Sequence, residues 1–170
     1  MNPAADLEVL PATRAVALAD EAATQRLAAC VAAEARARDV IALTGPLGAG
    51  KTAFARFFLA ALARREGMAA PDEVPSPTFT LVQTYRLGSL AVWHFDLYRL
   101  ARPDDAVELG LDEALAEGIS LIEWPERLGR LLPRDRLEIA LAYAAADRPE
   151  ARLATLTGHG AWRLRVDHVA

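Results

Sequence analysis

Gly45-Pro-Leu-Gly-Ala-Gly-Lys51-Thr52 satisfies the pattern G-x-x-x-x-G-K-[ST] at every fixed position. Residues of these types at this spacing are suited to holding a polyphosphate. Glycines at 45, 48 and 50 let the backbone curl until its N–H groups converge on phosphate oxygens. A helix starting near Lys51 adds unsatisfied N–H donors and the positive end of its dipole. Lys51 would reach back to the β- and γ-phosphates, with the Thr52 hydroxyl as a magnesium ligand. All the basic residues but one are arginine, and the lone lysine occupies the position that calls for lysine. A chance glycine-rich turn accounts for neither that coincidence nor the strand-like run before it and helical run after it. The usual guanine-reading motif, Asn/Thr-Lys-x-Asp, needs another lysine, so adenine is the expected base and ATP with Mg²⁺ the expected occupant.

Two carboxylates end apolar runs, Asp96 after "LAVWHF" and Glu123 after "ISLI". P-loop enzymes hold Mg²⁺ with the loop Ser/Thr and an acid at the end of a neighbouring strand. Taken alone, each acid also allows the plainer reading of a strand-end surface charge. With a phosphate site in the same domain, both are expected to converge on the crevice at the carboxyl edge of the sheet. Spacing leaves either one as the direct ligand. "PSPTF" (75–79) places Ser76 and Thr78 among prolines, either as a γ-phosphate-sensing segment or as an ordinary connection. His94, between Trp93 and Phe95, reads as a packed or surface histidine in preference to a catalytic one or a ligand.

These residues need elements to position them. Residues 20–37 predict a helix with Asp20 as candidate N-cap and Ala22, Leu27, Val31 and Ala35 on its apolar side. "VIALTG" (40–45) reads as a buried parallel strand. Residues 51–67 predict a helix with Phe54, Phe57, Phe58, Ala61 and Leu62 on one face and Gly67 as its stop. Two antiparallel strands are expected around Gly88-Ser89, then a helix or broken helix pair over 103–118. A buried strand over 119–124 and a hairpin turning around 147–149 complete the chain. The expected fold is α/β, a three-layer P-loop NTPase-like domain with a mixed, mainly parallel sheet and a C-terminal hairpin.

At 170 residues the chain reads as one domain over 18–170, preceded by an N-terminal extension, 1–17, that is either flexible or an added strand. Hydrophobic residues at 53% and charged ones at 25% suit a soluble globular protein. A net charge of −4 argues against a protein that grips nucleic acid unaided, because neutralising phosphates takes clustered cations. Cys30 alone excludes an internal disulfide and any cysteine-built zinc site, and is expected to be a small buried hydrophobe. With no apolar run of membrane-spanning length and no basic stretch at the start, a cytoplasmic location without membrane contact is expected.

"GPLGAGKT", "SPTFTLV", "HFDLYRL", "ELGLDE" and "LIEWPERL", in that order, resemble the TsaE family (formerly YjeE), over about residues 18–155. These are bacterial P-loop ATPases of tRNA threonylcarbamoyladenosine biosynthesis. The resemblance implies that Gly45, Pro46, Leu47, Gly48, Ala49, Gly50, Lys51, Thr52 and Ala53 bind ATP phosphates. It implies Thr52 and Glu123 on Mg²⁺, and Asp96 with Lys51 and Thr78 in hydrolysis, Ser76 and Thr78 lying in a switch-like segment. Trp124 would shield the site or touch a partner. The adenine side would be built from residues 18–24, with Glu21, and from the C-terminal hairpin, with Arg148. One departure is clear: family loops usually read Gly-Lys-Thr-Thr, and Ala53 supplies no second hydroxyl.

The resemblance further implies an ATP-hydrolysing accessory acting on the transferase TsaD and its scaffold TsaB, with tRNA met only through that complex. The carbamoyl donor would come from TsaC or a relative. Two other classes remain on the residues alone. A small-molecule P-loop kinase would need an acceptor pocket and an arginine-bearing lid, and no such lid stands out. A nucleotide-binding module without catalysis is the other.

Overall fold

A computed structural model describes residues 10–145 and 147–169. Its seven strands form one sheet, in the order β1-β7-β6-β2-β5-β4-β3. In chain order these are β1 (Ala12–Leu18), β2 (Val40–Thr44), β3 (Val82–Leu87), β4 (Leu90–Asp96), β5 (Ile119–Glu123), β6 (Leu137–Ala145) and β7 (Arg148–Gly158). The helices are α1 (Glu21–Glu34), α2 (Lys51–Arg65), α3 (Asp105–Glu108) and α4 (Leu111–Glu117). Parallel pairing is confined to the centre, β6-β2-β5-β4, and the pairings outside it are antiparallel. The hairpin expected at the C-terminal side is β6–β7. Of the N-terminal extension, residues 12–17 lie in β1, antiparallel to β7, and residues 1–9 lie outside the described residues.

The central strands are apolar on both faces because helices cover both. Every residue of β5 is buried, and so are Val40–Leu43 of β2. Alternation sorts their side chains. Ile41, Leu43, Ile119, Leu121, Leu137 and Ile139 pack with α1 and α2. Val40, Phe95 and Ile122 pack with Ala106, Leu111 and Ala114 of α3 and α4 on the other face. That is the expected three-layer arrangement.

The helices begin and end for local reasons. Asp20 Oδ1 accepts from the Ala23 N–H at 2.7 Å, which caps α1. Gly67, at φ +69, stops α2, and the Met68 N–H closes back onto the Ala63 carbonyl. Gly110, at φ +87, breaks the 103–118 stretch into α3 and α4. On α2, Phe54, Phe58, Leu59 and Leu62 are buried, with Phe57 and Ala61 packed at the margin. Two expectations for α1 are corrected. Its buried stripe runs Ala23, Leu27, Ala28, Val31, Ala32, which leaves Ala22 and Cys30 exposed. The helix is rotated relative to the simplest reading because alanine is so common that its positions mark no face.

The first glycine of the loop is set by the neighbouring strand. Gly45 has φ +135, and a Cβ there would collide with the Leu141 carbonyl of β6. Gly50 also has positive φ, at +106, but open space surrounds its Cβ position. Gly45→Ala is therefore expected to cost ~1–3 kcal/mol of unfolding free energy, read as a lower urea midpoint at unchanged slope. Gly50→Ala should cost only the backbone strain, about 1 kcal/mol. Equal losses for the two variants would show that the contact with β6 is not what demands glycine at 45.

Candidate functional site

The loop from Gly45 to Gly50 joins β2 to α2, and α2 starts without any side-chain cap. The N–H groups of Lys51 and Thr52 at its first turn therefore have no intrahelical acceptor and no capping oxygen. Lys51 is almost wholly buried and folds over the loop, its Nζ donating to the carbonyls of Gly45 at 2.6 Å and Pro46 at 2.9 Å. The same Nζ stands 3.9 Å from the centre of the Trp124 ring. Burial pulls the Lys51 pKa below its ordinary value, against the opposing pull of Glu123, Asp96 and Glu126.

Both strand-end acids reach this place. Parallel pairing of β4 with β5 sets Asp96 directly beside Glu123, and Leu43 of β2 is registered on the other side of Glu123. Their partners differ. Glu123 receives the Thr52 hydroxyl, whose Oγ1 lies 3.0 Å from Oε1 and 3.1 Å from Oε2. His94 Nε2 lies 2.8 Å from the same Oε1. Asp96 instead takes the loop ahead of β3: Ser76 Oγ and Thr78 Oγ1 each lie 2.6 Å from Oδ2, and the Tyr98 N–H donates to Oδ1 at 3.1 Å. Of the packed and surface readings of His94, the structure shows the packed one, and the ring touches an acid of the site.

Trp124, next in the chain after Glu123, adopts φ +58, a left-handed conformation that costs a non-glycine residue ~1–2 kcal/mol. Its N–H donates to the Leu43 carbonyl at 3.2 Å and its ring packs on Tyr98 with centroids 5.0 Å apart. That turn places the indole over Lys51. Lys51, Thr52, Ser76, Asp96, Glu123 and Trp124 line a cleft of 240 Å³.

The outer side of the loop is gripped by residues that sequence reading missed. Tyr143 Oη donates to the Leu47 carbonyl at 3.0 Å, and Arg152 donates to the carbonyls of Ala49 at 3.1 Å and Gly48 at 3.3 Å. The Arg152 guanidinium lies 4.4 Å from the centre of the Tyr143 ring. In a planar trans peptide the N–H opposes the carbonyl, so holding the Leu47 and Ala49 carbonyls outward turns the Gly48 and Gly50 N–H groups inward, while the Ala49 N–H closes on the Pro46 carbonyl at 3.2 Å. No pattern in the sequence marks Tyr143 or Arg152, because their place depends on the β6–β7 register, which pairs them with each other.

A second cleft of 320 Å³ adjoins the first across Gly48, Gly50 and Ala53 and is bordered by Glu21, Thr24, Glu150 and Arg152. Glu21 is thus beside the loop as expected. Arg148 is not: it pairs with Ala145 at the exposed hairpin tip, and the arginine reaching the loop lies four residues further along β7. Of the other loop positions, Pro46 contributes a carbonyl to Lys51, Leu47 is exposed, Ala49 is buried, and Ala53 presents a methyl group to both clefts.

The donor set fits Mg²⁺. A hydroxyl and a carboxylate are hard oxygen ligands, and Mg²⁺ is commonly held by one or two of these with phosphate oxygens and water completing its shell. Among the described residues there is no cluster of three or more His, Cys, Asp and Glu side chains able to hold a metal by themselves. The loop fits a phosphate chain through its free N–H groups and Lys51.

A parallel-centred sheet with a glycine loop leading into α2 and acids at the ends of adjoining strands defines a P-loop NTPase-like protein. The family profile described as "Threonylcarbamoyl adenosine biosynthesis protein TsaE" matches residues 18–152. The chain belongs to the TsaE family. The tRNA threonylcarbamoyladenosine biosynthesis protein TsaE of Rickettsia conorii is 36% identical over 142 residues, covering 84% of this chain and 77% of the relative. The Bacillus subtilis protein of the same name is 39% identical over 128 residues, 75% of this chain and 76% of its own. The crystal structure of Bacillus subtilis YdiB superposes with a TM-score of 0.74 at 30% identity, over 94% of this chain and 95% of that one.

Arg152→Met combined with Tyr143→Phe is expected to loosen the loop. Exchange of the Ala49 amide, hydrogen-bonded to the Pro46 carbonyl at 3.2 Å, should accelerate about tenfold, since the lost bonds are worth ~1–3 kcal/mol, with β2 unchanged. Unaltered exchange in the loop would remove the hairpin from its support.

Proposed function

We propose that this protein binds ATP with Mg²⁺ in the Lys51–Glu123 cleft and hydrolyses it as an accessory to threonylcarbamoyladenosine modification of tRNA, acting in the cytoplasm on the TsaB–TsaD complex. The observation that carries this reading is the meeting of Thr52 with Glu123 beside Lys51. A loop hydroxyl and a strand-end acid of a P-loop protein converge where a nucleotide-bound metal needs both. Family membership supports the pathway.

The residues divide the work. The loop N–H groups and the α2 N-terminus bind the phosphate chain, and Lys51 exchanges its loop carbonyls for phosphate oxygens. Thr52 and Glu123 would hold Mg²⁺, which when bound would supply positive charge beside the phosphates. The Asp96 carboxylate takes the proton of the attacking water, and Ser76 and Thr78, bonded to its Oδ2, tie the 76–79 loop to the state of the site. Trp124 covers Lys51 and keeps bulk water from it. The second cleft, with Glu21 and Arg152, receives the nucleoside end. Tethering of tRNA falls to the partners, in keeping with the net charge of −4.

Phosphate release by the isolated protein should be slow and change markedly when TsaB and TsaD are added. Lys51→Ala and Glu123→Ala are each expected to lower turnover ~10²-fold or more. Modification of tRNA in a reconstituted system should require both this protein and ATP. Calorimetry showing no uptake of any adenine nucleotide by the folded protein would end this reading, and rapid phosphate transfer to a metabolite would replace it with a kinase.

A further inference from the structure

His94 has no exposed surface, and its Nε2 contact with Glu123 Oε1 at 2.8 Å is the single hydrogen bond of its ring among the described residues. The other ring nitrogen, Nδ1, is buried without a partner. An unpartnered buried nitrogen is cheaper as a bare lone pair than as an N–H, so the ring proton belongs on Nε2, where it donates to the carboxylate. A histidine kept only to fill the core would be better replaced by leucine, which carries no polar atom to desolvate. The bond to Glu123 is the one interaction that offsets burying this ring.

That bond also breaks a symmetry. Thr52 Oγ1 is nearly equidistant from the two oxygens of Glu123, at 3.0 and 3.1 Å, and so does not fix how the carboxylate is turned. His94 touches Oε1 alone. Beta alternation puts Val92, His94 and Asp96 on the α2 face of β4, so the fully buried imidazole lies directly behind the acids. We propose that His94 is a positioning residue for Glu123: its Nε2–H pins Oε1 and leaves Oε2 as the oxygen offered to Mg²⁺. This rests on the reading of Glu123 as a metal ligand. Mg²⁺ demands near-ideal octahedral geometry, so a carboxylate free to turn binds it less well.

The test compares His94→Gln with His94→Met in the full chain. The glutamine amide nitrogen is as many bonds from Cα as Nε2, so it can replace the donor, and methionine fills the space without one. ADP affinity is measured by calorimetry with Mg²⁺ and with a chelator, and phosphate release is followed against Mg²⁺ concentration. His94→Met should raise the half-saturating Mg²⁺ concentration ~10–100-fold and lose the gain in ADP affinity that Mg²⁺ confers, with chelator-condition affinity unchanged. His94→Gln should stay within about threefold of the parent on both measures. Should His94→Met fail to fold, His94→Asn, whose amide is too short to reach Oε1, replaces it with the same expectation. An unchanged Mg²⁺ requirement in a folded variant lacking the donor, alongside a large shift in Glu123→Gln, would overturn the role of His94 and spare the metal site. An unchanged requirement in Glu123→Gln itself would overturn the metal reading, and this proposal with it.

Discussion

Glu123 stands at the end of β5, registered with Leu43 of β2 on one side and Asp96 of β4 on the other. Everything at the site follows from that three-strand parallel register. It aligns the carboxyl ends of the strands, so the loop leaving β2, the acid ending β4 and the acid ending β5 emerge at one edge. A slip of one residue in β5 would turn Glu123 to the α3–α4 face and put Ile122 in its place. The register is held by burial on both faces, since a slip would exchange the two apolar sets that face α2 and α4.

Two nearly buried carboxylates side by side are costly unless each is satisfied separately. The site resolves this by dividing the partners. Glu123 is bonded to the first turn of α2 and to His94, and Asp96 to the 76–78 loop and the Tyr98 N–H. Lys51 lies between these acids and the loop carbonyls and answers their charge. The division gives each acid a different lever. A change at Glu123 is felt by the first turn of α2, and a change at Asp96 by a loop that ends in the exposed Phe79.

The loop is supported from two directions. Inside, Lys51 ties down its first carbonyls, and outside, Tyr143 and Arg152 hold the next ones. The C-terminal hairpin, far from the loop in sequence, thus helps shape the glycine loop. It is itself anchored on the far side by β1 and by the segment after β7, where Arg165 forms a two-pronged pair with Asp39 and stacks on Trp162. A cradle preformed in this way spends less binding energy on ordering itself.

The glycine loop after β2, the two strand-end acids, the helical character of 103–118 and the C-terminal hairpin were legible in the sequence, because each is written in neighbouring residues. Glycine spacing, a proline or a capping aspartate acts over a few positions, and an apolar run that ends in an acid needs no distant partner to be noticed. What only tertiary structure decided was which groups meet. Arg152 and not Arg148 reaches the loop, His94 meets Glu123, Cys30 falls outside the buried stripe of α1, and Ser76 and Thr78 attach to Asp96. The physical reason is that these contacts join residues far apart in the chain and depend on strand register and helix rotation. Both are set by the whole core packing at once, and no local pattern encodes them.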